Sequence, residues 1–290
     1  MNQRPDVVEM NRRVAEQVKK VYGKFDPNTT EVLDFACGTG LMSRHLAPLS
    51  KSVLGVDISQ GVVDVYNEEV SKAGIDTSKM RAIVKDITGA PDELEGRKFD
   101  VIVCSMAYHH LSSISHTTRA LVSHLRPSGS LFVIDIHQLG FNSPAAAELQ
   151  TIHSVNQEHK HGFTEEEFRA LFVDEMGLGE FRREVFSHAY MCADRTFMFA
   201  EGEGEEAERR AKEEAERKPR AAPGDGHEHG HGHVHGNHAH GHTHDQHAHG
   251  HGHDHHAHGH GHDHHHGPST QQTAAGAKVE FFLAVGTAPA

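Results

Sequence analysis

The sequence has no tryptophan and only three cysteines in 290 residues. Cys37, Cys104 and Cys192 are odd in number and far apart, so they supply neither a disulfide framework nor a CxxC metal site. A reducing compartment is their simplest setting. No apolar run reaches the about 18 residues of a membrane span, and residues 1–10 hold no apolar signal-peptide core. Basic charge is also short: 28 Lys and Arg stand against 41 Asp and Glu, a formal net charge of -13. Such a balance argues against an electrostatic nucleic-acid binder. The expectation is a soluble, cytoplasmic protein with no nucleic-acid and no membrane partner.

Two residue types are abundant instead, with 31 His and 28 Gly. The histidines are clustered, and 21 of them fall between His227 and His266. Residues 201–275 thus stand apart in composition. The rest, 1–200 and 276–290, is about 215 residues, enough for one domain with a sizeable core.

Along that domain, Val7, Met10, Val14, Val18 and Val21 recur at helical spacing over 6–22, and Asp26-Pro27-Asn28 ends the pattern. Short apolar runs then alternate with helical patterns. Strands are predicted at 32–35, 52–56, 81–85, 101–105 and 130–136, with helices near 41–48, 60–73, 115–125 and 164–176. This alternation implies an α/β fold, a parallel sheet with helices on both faces. Further strands are predicted at 180–191 and 279–285; the run 196–200 could pair too, without an assigned place.

The most informative stretch is Glu31-Val32-Leu33-Asp34-Phe35-Ala36-Cys37-Gly38-Thr39-Gly40. A strand ends in a turn of small residues and opens into a helix, so a ligand can lie against backbone with helix N–H groups aimed at it. A dinucleotide site of the GxGxxG type is matched only in part, because Ser43 stands at the third glycine. The other cofactor class that fits is S-adenosylmethionine. Four further segments follow in order: Val53-Leu54-Gly55-Val56-Asp57, Val84-Lys85-Asp86-Ile87, Phe99-Asp100-Val101-Ile102-Val103-Cys104-Ser105-Met106-Ala107-Tyr108-His109-His110, and Leu125-Arg126-Pro127-Ser128-Gly129.

Together these five segments resemble class I S-adenosylmethionine-dependent methyltransferases of the small-molecule type often labelled type 11 or 12. Ala36 departs from that pattern, which has glycine there. The resemblance implies a doubly wound, mostly parallel, seven-stranded Rossmann-like sheet ending in an antiparallel hairpin. The biased segment would then be an insertion between the last two strands. It also implies cofactor contacts from Asp34, Ala36, Gly38, Gly40, Asp57, Ile58, Asp86, Ile87 and Ser105. Asp57 would accept the ribose hydroxyls, and Asp86 with Ile87 would meet the adenine.

Methyl transfer needs alignment of the acceptor, and a base where the acceptor carries a proton. His109 and His110 follow the fourth strand at its carboxyl end, where such sheets place ligands. Imidazole suits proton removal near neutral pH. Each is a candidate, and packing on the cofactor or capping the next helix is the competing role. His137, His159 and His161 are further candidates, and 138–163 reads as a lid over a small-molecule acceptor.

The biased segment has two parts. Residues 201–220 form a charged linker with helical potential, from i,i+4 pairs such as Glu206 with Arg210 and Glu213 with Arg217. Residues 221–275 carry a nine-residue repeat, with AHGHGHDHH at both 248–256 and 257–265. Nothing apolar in the unit can stack, so disorder without a ligand is expected. Alternating His231, His233, His235, His240, His242, His244, His249, His251, His253, His255, His258, His260, His262 and His264 offer imidazole donors to Zn, Ni, Cu or Co ions. A neutral repeat expansion is the competing reading of the tract. For the whole chain, the competing function is a metal-binding and buffering protein on an inactive methyltransferase scaffold.

Overall fold

The structure, a computed structural model, describes residues 4–139, 145, 159, 161–194, 196–202, 204–219 and 275–290. Helix α1, Pro5–Tyr22, starts with proline at its first position and Asp6 in its first turn, both suited to a helix N-terminus. It stops at Gly23, whose left-handed φ of 66° lets its N–H return to the Lys19 carbonyl. The break therefore precedes Asp26-Pro27-Asn28 and has a glycine C-cap as its cause.

The chain then alternates: β1 (Glu31–Phe35), α2 (Leu41–Leu46), β2 (Ser52–Asp57), α3 (Gln60–Lys72), β3 (Met80–Val84), β4 (Phe99–Ser105), α4 (Ile114–Ser123) and β5 (Leu125–Ile136). Helix α5 (Glu165–Arg169) begins with a capping box between Thr164 and Glu167. It continues through a wider π turn at Ala170–Glu175. Next come β6 (Gly179–Met191), β7 (Phe197–Phe199), α6 (Glu205–Arg217) and β8 (Lys278–Thr287).

One sheet collects all eight strands in the order β3-β2-β1-β4-β5-β8-β6-β7. Its first five are mutually parallel. Strand β8 then enters antiparallel between β5 and β6. The expected seven strands become eight, because Phe197–Phe199 pairs antiparallel with the end of β6 as a short edge strand.

Successive strand residues face opposite layers, as the period of two requires. Val32, Val101 and Phe132 join a core with Met10, Val14 and Val18 of α1, Leu46 of α2 and Tyr66 of α3. Leu33, Ile102 and Val133 join the other core, with Leu121 of α4 and Phe168 of α5. Parallel connections thus bring the carboxyl ends of β1, β2, β3, β4 and β5 to one rim.

Helix α6 is not merely a solvated spacer. Ala207, Ala211 and Ala215, four apart, lie against Tyr190, Cys192, Met198 and Ala200 at the sheet edge. Glu208 reaches His188 at 3.0 Å, the Tyr190 hydroxyl at 3.2 Å and Lys278 at 3.5 Å. The pair Glu206–Arg210 forms as expected; Arg217 and Glu213 lie 3.9 Å apart. Gly276, where the chain returns, passes so close to Glu216 that a Cβ there would lie 2.5 Å from its carboxylate. Among the described residues no helix is long and apolar enough to cross a membrane.

Candidate active site

At the end of β1 the chain turns within five residues, 36–40, before α2 begins. Ala36 takes a left-handed φ of 55°, Gly38 one of 53° and Gly40 one of 82°. L-residues pay about 1–2 kcal/mol for that region, so Ala36 stands where glycine would be unstrained. A Cβ on Gly40 would lie 2.6 Å from the Tyr66 ring, whereas a Cβ on Gly38 would meet nothing within 4 Å. Gly40 is thus required by the protein's own packing, and Gly38 presents open backbone.

Two carboxylates fix this loop from opposite sides. Asp34, buried in β1, accepts the Ser43 hydroxyl at 2.5 Å from the first turn of α2. Burial pushes its carboxyl up to about 7, against the pull of the Ser43 hydroxyl and N–H. Asp34 therefore braces the loop from inside. Asp57, ending β2, accepts the Gly38 N–H at 3.1 Å on one oxygen and the Ser59 N–H at 3.0 Å on the other. Between them Cys37 is buried, and burial pushes its thiol far up, so it stays neutral.

The neighbouring strand ends complete the rim. Ile58 is 60% exposed beside Asp57, an unusual setting for a large aliphatic side chain. The Lys85 N–H donates to the Asp57 carbonyl at 3.0 Å, which brings the exposed Asp86 next to this edge. Ile87 points elsewhere and is buried in the core with Val56 and Leu121. Ser105 ends β4, half-buried. After it Met106 takes a second left-handed turn, φ 57°, with its N–H on the Ile134 carbonyl.

That turn delivers the two histidines. His109 is buried, and its Nδ1 lies 2.7 Å from Oδ1 of Asp135. Its backbone N–H donates to the other oxygen at 3.3 Å. Burial alone would lower the ring's pKa, but the charge and hydrogen bond of Asp135 outweigh it, and the net shift is upward. The His110 ring packs against His109 in a tilted contact, with centroids 4.0 Å apart and the planes at 48°. Asp135 is a site residue that motif reading misses. Its signal is a lone charge in the apolar run Leu131–Ile136, where β5 is otherwise buried and uncharged.

The other candidates have partners of their own. His137 Nδ1 is 3.0 Å from the Arg183 guanidinium, which also donates to the Phe163 carbonyl at 2.8 Å and covers the Phe282 ring at 4.0 Å. The His159 ring packs on Phe163 at 4.9 Å, and the His161 carbonyl accepts the Leu139 N–H at 2.7 Å. This stretch thus returns along the end of β5. Most of the expected lid and all the tract histidines named above lie outside the described residues. Among the described residues, no three His, Cys, Asp or Glu side chains gather as a metal site.

Comparison with known proteins agrees with this geometry. The family described as "Methyltransferase domain" matches residues 8–178. An uncharacterized methyltransferase of Schizosaccharomyces pombe is 41% identical over 144 residues, 49% of this chain and 51% of that protein. A ubiquinone biosynthesis O-methyltransferase of Xanthomonas axonopodis pv. citri is 26% identical over 136 residues, 47% of this chain and 54% of that one. The chain spans about half the length of the curated relatives it matches. In structure, the YcgJ protein of Bacillus subtilis superposes with a TM-score of 0.54 at 14% identity, covering 96% of this chain and 99% of that one. Phosphoethanolamine N-methyltransferase 2 of Haemonchus contortus, solved with S-adenosyl-L-methionine, gives 0.56 at 14% identity, with 96% and 52% covered. With an Asp57-closed glycine loop on a parallel sheet that ends antiparallel, the chain belongs to the methyltransferase-domain family.

Proposed function

We propose that this protein methylates a small-molecule acceptor at an atom that gives up a proton, and that its histidine-rich tract binds divalent metal ions. The observation that carries the first part is the Asp57 carboxylate seated on the Gly38 N–H, beside open backbone at Gly38 and an exposed Ile58. A carboxylate, open space over glycine backbone and an apolar side chain suit the hydroxyls and flat ring of a nucleoside. Asp57 would take the ribose hydroxyls, Ala36, Gly38 and Gly40 would shape the floor, and Ile58 and Asp86 would meet the adenine. Ser105 would face the other end, Asp34 would brace the loop, and Ile87 would act from the core behind it. When bound, S-adenosylmethionine supplies an electrophilic methyl carbon.

The remaining work falls to this chain's own groups. His109 would receive the acceptor's proton, and His110 would hold the His109 ring by packing against it. An oxygen acceptor fits the name of the Xanthomonas relative, and a hydroxyl must shed its proton to be methylated. Three buried, unpaired cysteines suit a cytoplasmic location.

The test starts with binding. S-adenosylhomocysteine is expected to raise the melting temperature, by the linkage of ligand to the folded state. Asp57→Ala should weaken that binding by about 30- to 100-fold, the loss of hydrogen bonds to a charged acceptor. No thermal shift in the wild type would sink the reading. Labelled methyl transfer into a metabolite extract, with and without 221–267, then separates two cases. An enzyme keeps its activity after the deletion, whereas a metal buffer on an inert scaffold shows no transfer in either form. Zinc titration of the full chain should show affinity falling as pH drops, because protons compete for imidazole.

A further inference from the structure

We infer that Asp135 is a positioning residue that holds His109 as the proton acceptor for the substrate. The inference rests on the methyltransferase reading above and names the group that would make His109 effective.

Asp135 is wholly buried within an apolar strand, where a carboxylate costs several kcal/mol unless it is matched. Apart from the N–H of the next residue in the chain, its matching is directed at His109. Oδ1 lies 2.7 Å from the His109 ring and accepts the Ile136 N–H at 2.7 Å; Oδ2 accepts the His109 backbone N–H at 3.3 Å. Grip on both backbone and ring sets the ring's position as well as its rotation. A carboxylate at Nδ1 keeps the proton on that nitrogen and leaves Nε2 as the accepting atom. The His110 ring packs against the His109 ring in a tilted contact at 4.0 Å.

Besides His110, whose ring packs against His109, the titratable groups near the pair are Cys104 of β4 and Tyr108 of the same turn. Burial pushes both upward, so they remain neutral. Asp135 is therefore the anion that answers a charge on His109. In the step itself, with a hydroxyl acceptor, the O–H bond breaks, its proton joins Nε2, and its electron pair stays on oxygen. The imidazolium so formed faces a carboxylate already in place.

The test uses the full chain with 15N-labelled histidine, the His109 signals being identified by their loss in His109→Gln. The expected result is an Nδ1–H tautomer in the wild type. Asp135→Asn should lower the ring's titration midpoint by about one pH unit or more. It should also cut methyl transfer into a metabolite extract about tenfold or more, with S-adenosylhomocysteine affinity unchanged. The pH–rate profile should move with the ring, which a merely structural tie would not cause. An Nε2–H tautomer in the wild type overturns the inference, and this readout stands even if Asp135→Asn does not fold. An unmoved profile in a folded Asp135→Asn overturns it as well. Absence of any S-adenosylhomocysteine shift in the wild type is a separate failure, which removes the methyltransferase reading and the pair's role with it.

Discussion

The two halves of the sheet are held by different means. In β3-β2-β1-β4 every pairing is parallel, and the rim depends on backbone conformations that few residue types adopt. At that rim the side-chain braces run to the glycine loop and the helix it opens: Asp34 reaches Ser43 and Asp57 reaches Gly38. In β5-β8-β6-β7 the pairings are antiparallel, and side chains from distant segments tie the elements together. Arg183 joins His137 to Phe163, and Glu208 joins α6 to β6 and β8. The first half resembles a mould with little tolerance, the second a set of adjustable cross-links.

The largest expected effect is in the mould. Gly40→Ala places a Cβ 2.6 Å from the Tyr66 ring at a backbone φ of 82°. Overpacking and left-handed strain together should cost about 3–5 kcal/mol, read by urea unfolding. A loss below about 1 kcal/mol would mean that α3 yields easily, and the contrast between halves would fail.

Next is the pH dependence set by Asp34. Its folded pKa of about 7 lies above the ordinary carboxylate value of 3.8. The fold therefore binds a proton more tightly than the unfolded chain does. This contribution is fully present below about pH 4 and is lost as pH rises toward 7. Asp34→Asn, neutral throughout and still able to accept from Ser43, should remove that part of the slope. The wild type should lose about 2–4 kcal/mol relative to the variant between pH 4 and pH 8. Parallel stability curves for the two proteins would show that Asp34 is charged in the fold at low cost.

These halves also differ in how far sequence discloses them. The strands and helices of the first half follow from apolar runs and periods, and its motif residues sit at the ends of successive strands. Ala36 is legible as a departure from the glycine pattern, and its φ of 55° gives that departure a physical meaning. Ile87 reads as a ligand contact by position, yet its side chain packs inward with Val56. In the second half, Asp135 and His109 meet across 26 residues, a distance no local pattern spans. The edge strand Phe197–Phe199 is too short to place without its partner β6. Helix α6 has the charge pairs of a solvated helix, and only three alanines four apart hint at a buried face. Small side chains carry weak hydropathy, so a face built from them is nearly invisible until its partner surface is known.

One substitution type, made in each half, gives the finest test of the comparison. Ala36→Gly relieves a left-handed alanine, a gain of about 1 kcal/mol, offset by roughly half that for the freer unfolded chain. A small net stabilisation is expected. Ala215→Gly acts in the opposite sense. Ala215 is wholly buried on α6 against the sheet edge, and glycine there loses about 1 kcal/mol of helix propensity and about 0.8 kcal/mol of methyl burial. Thermal melts of the two variants should thus shift in opposite directions, with Ala215→Gly the larger change. If Ala36→Gly also destabilised the protein, the loop would depend on alanine's methyl contacts more than on its backbone, and the mould would be one of packing instead of conformation.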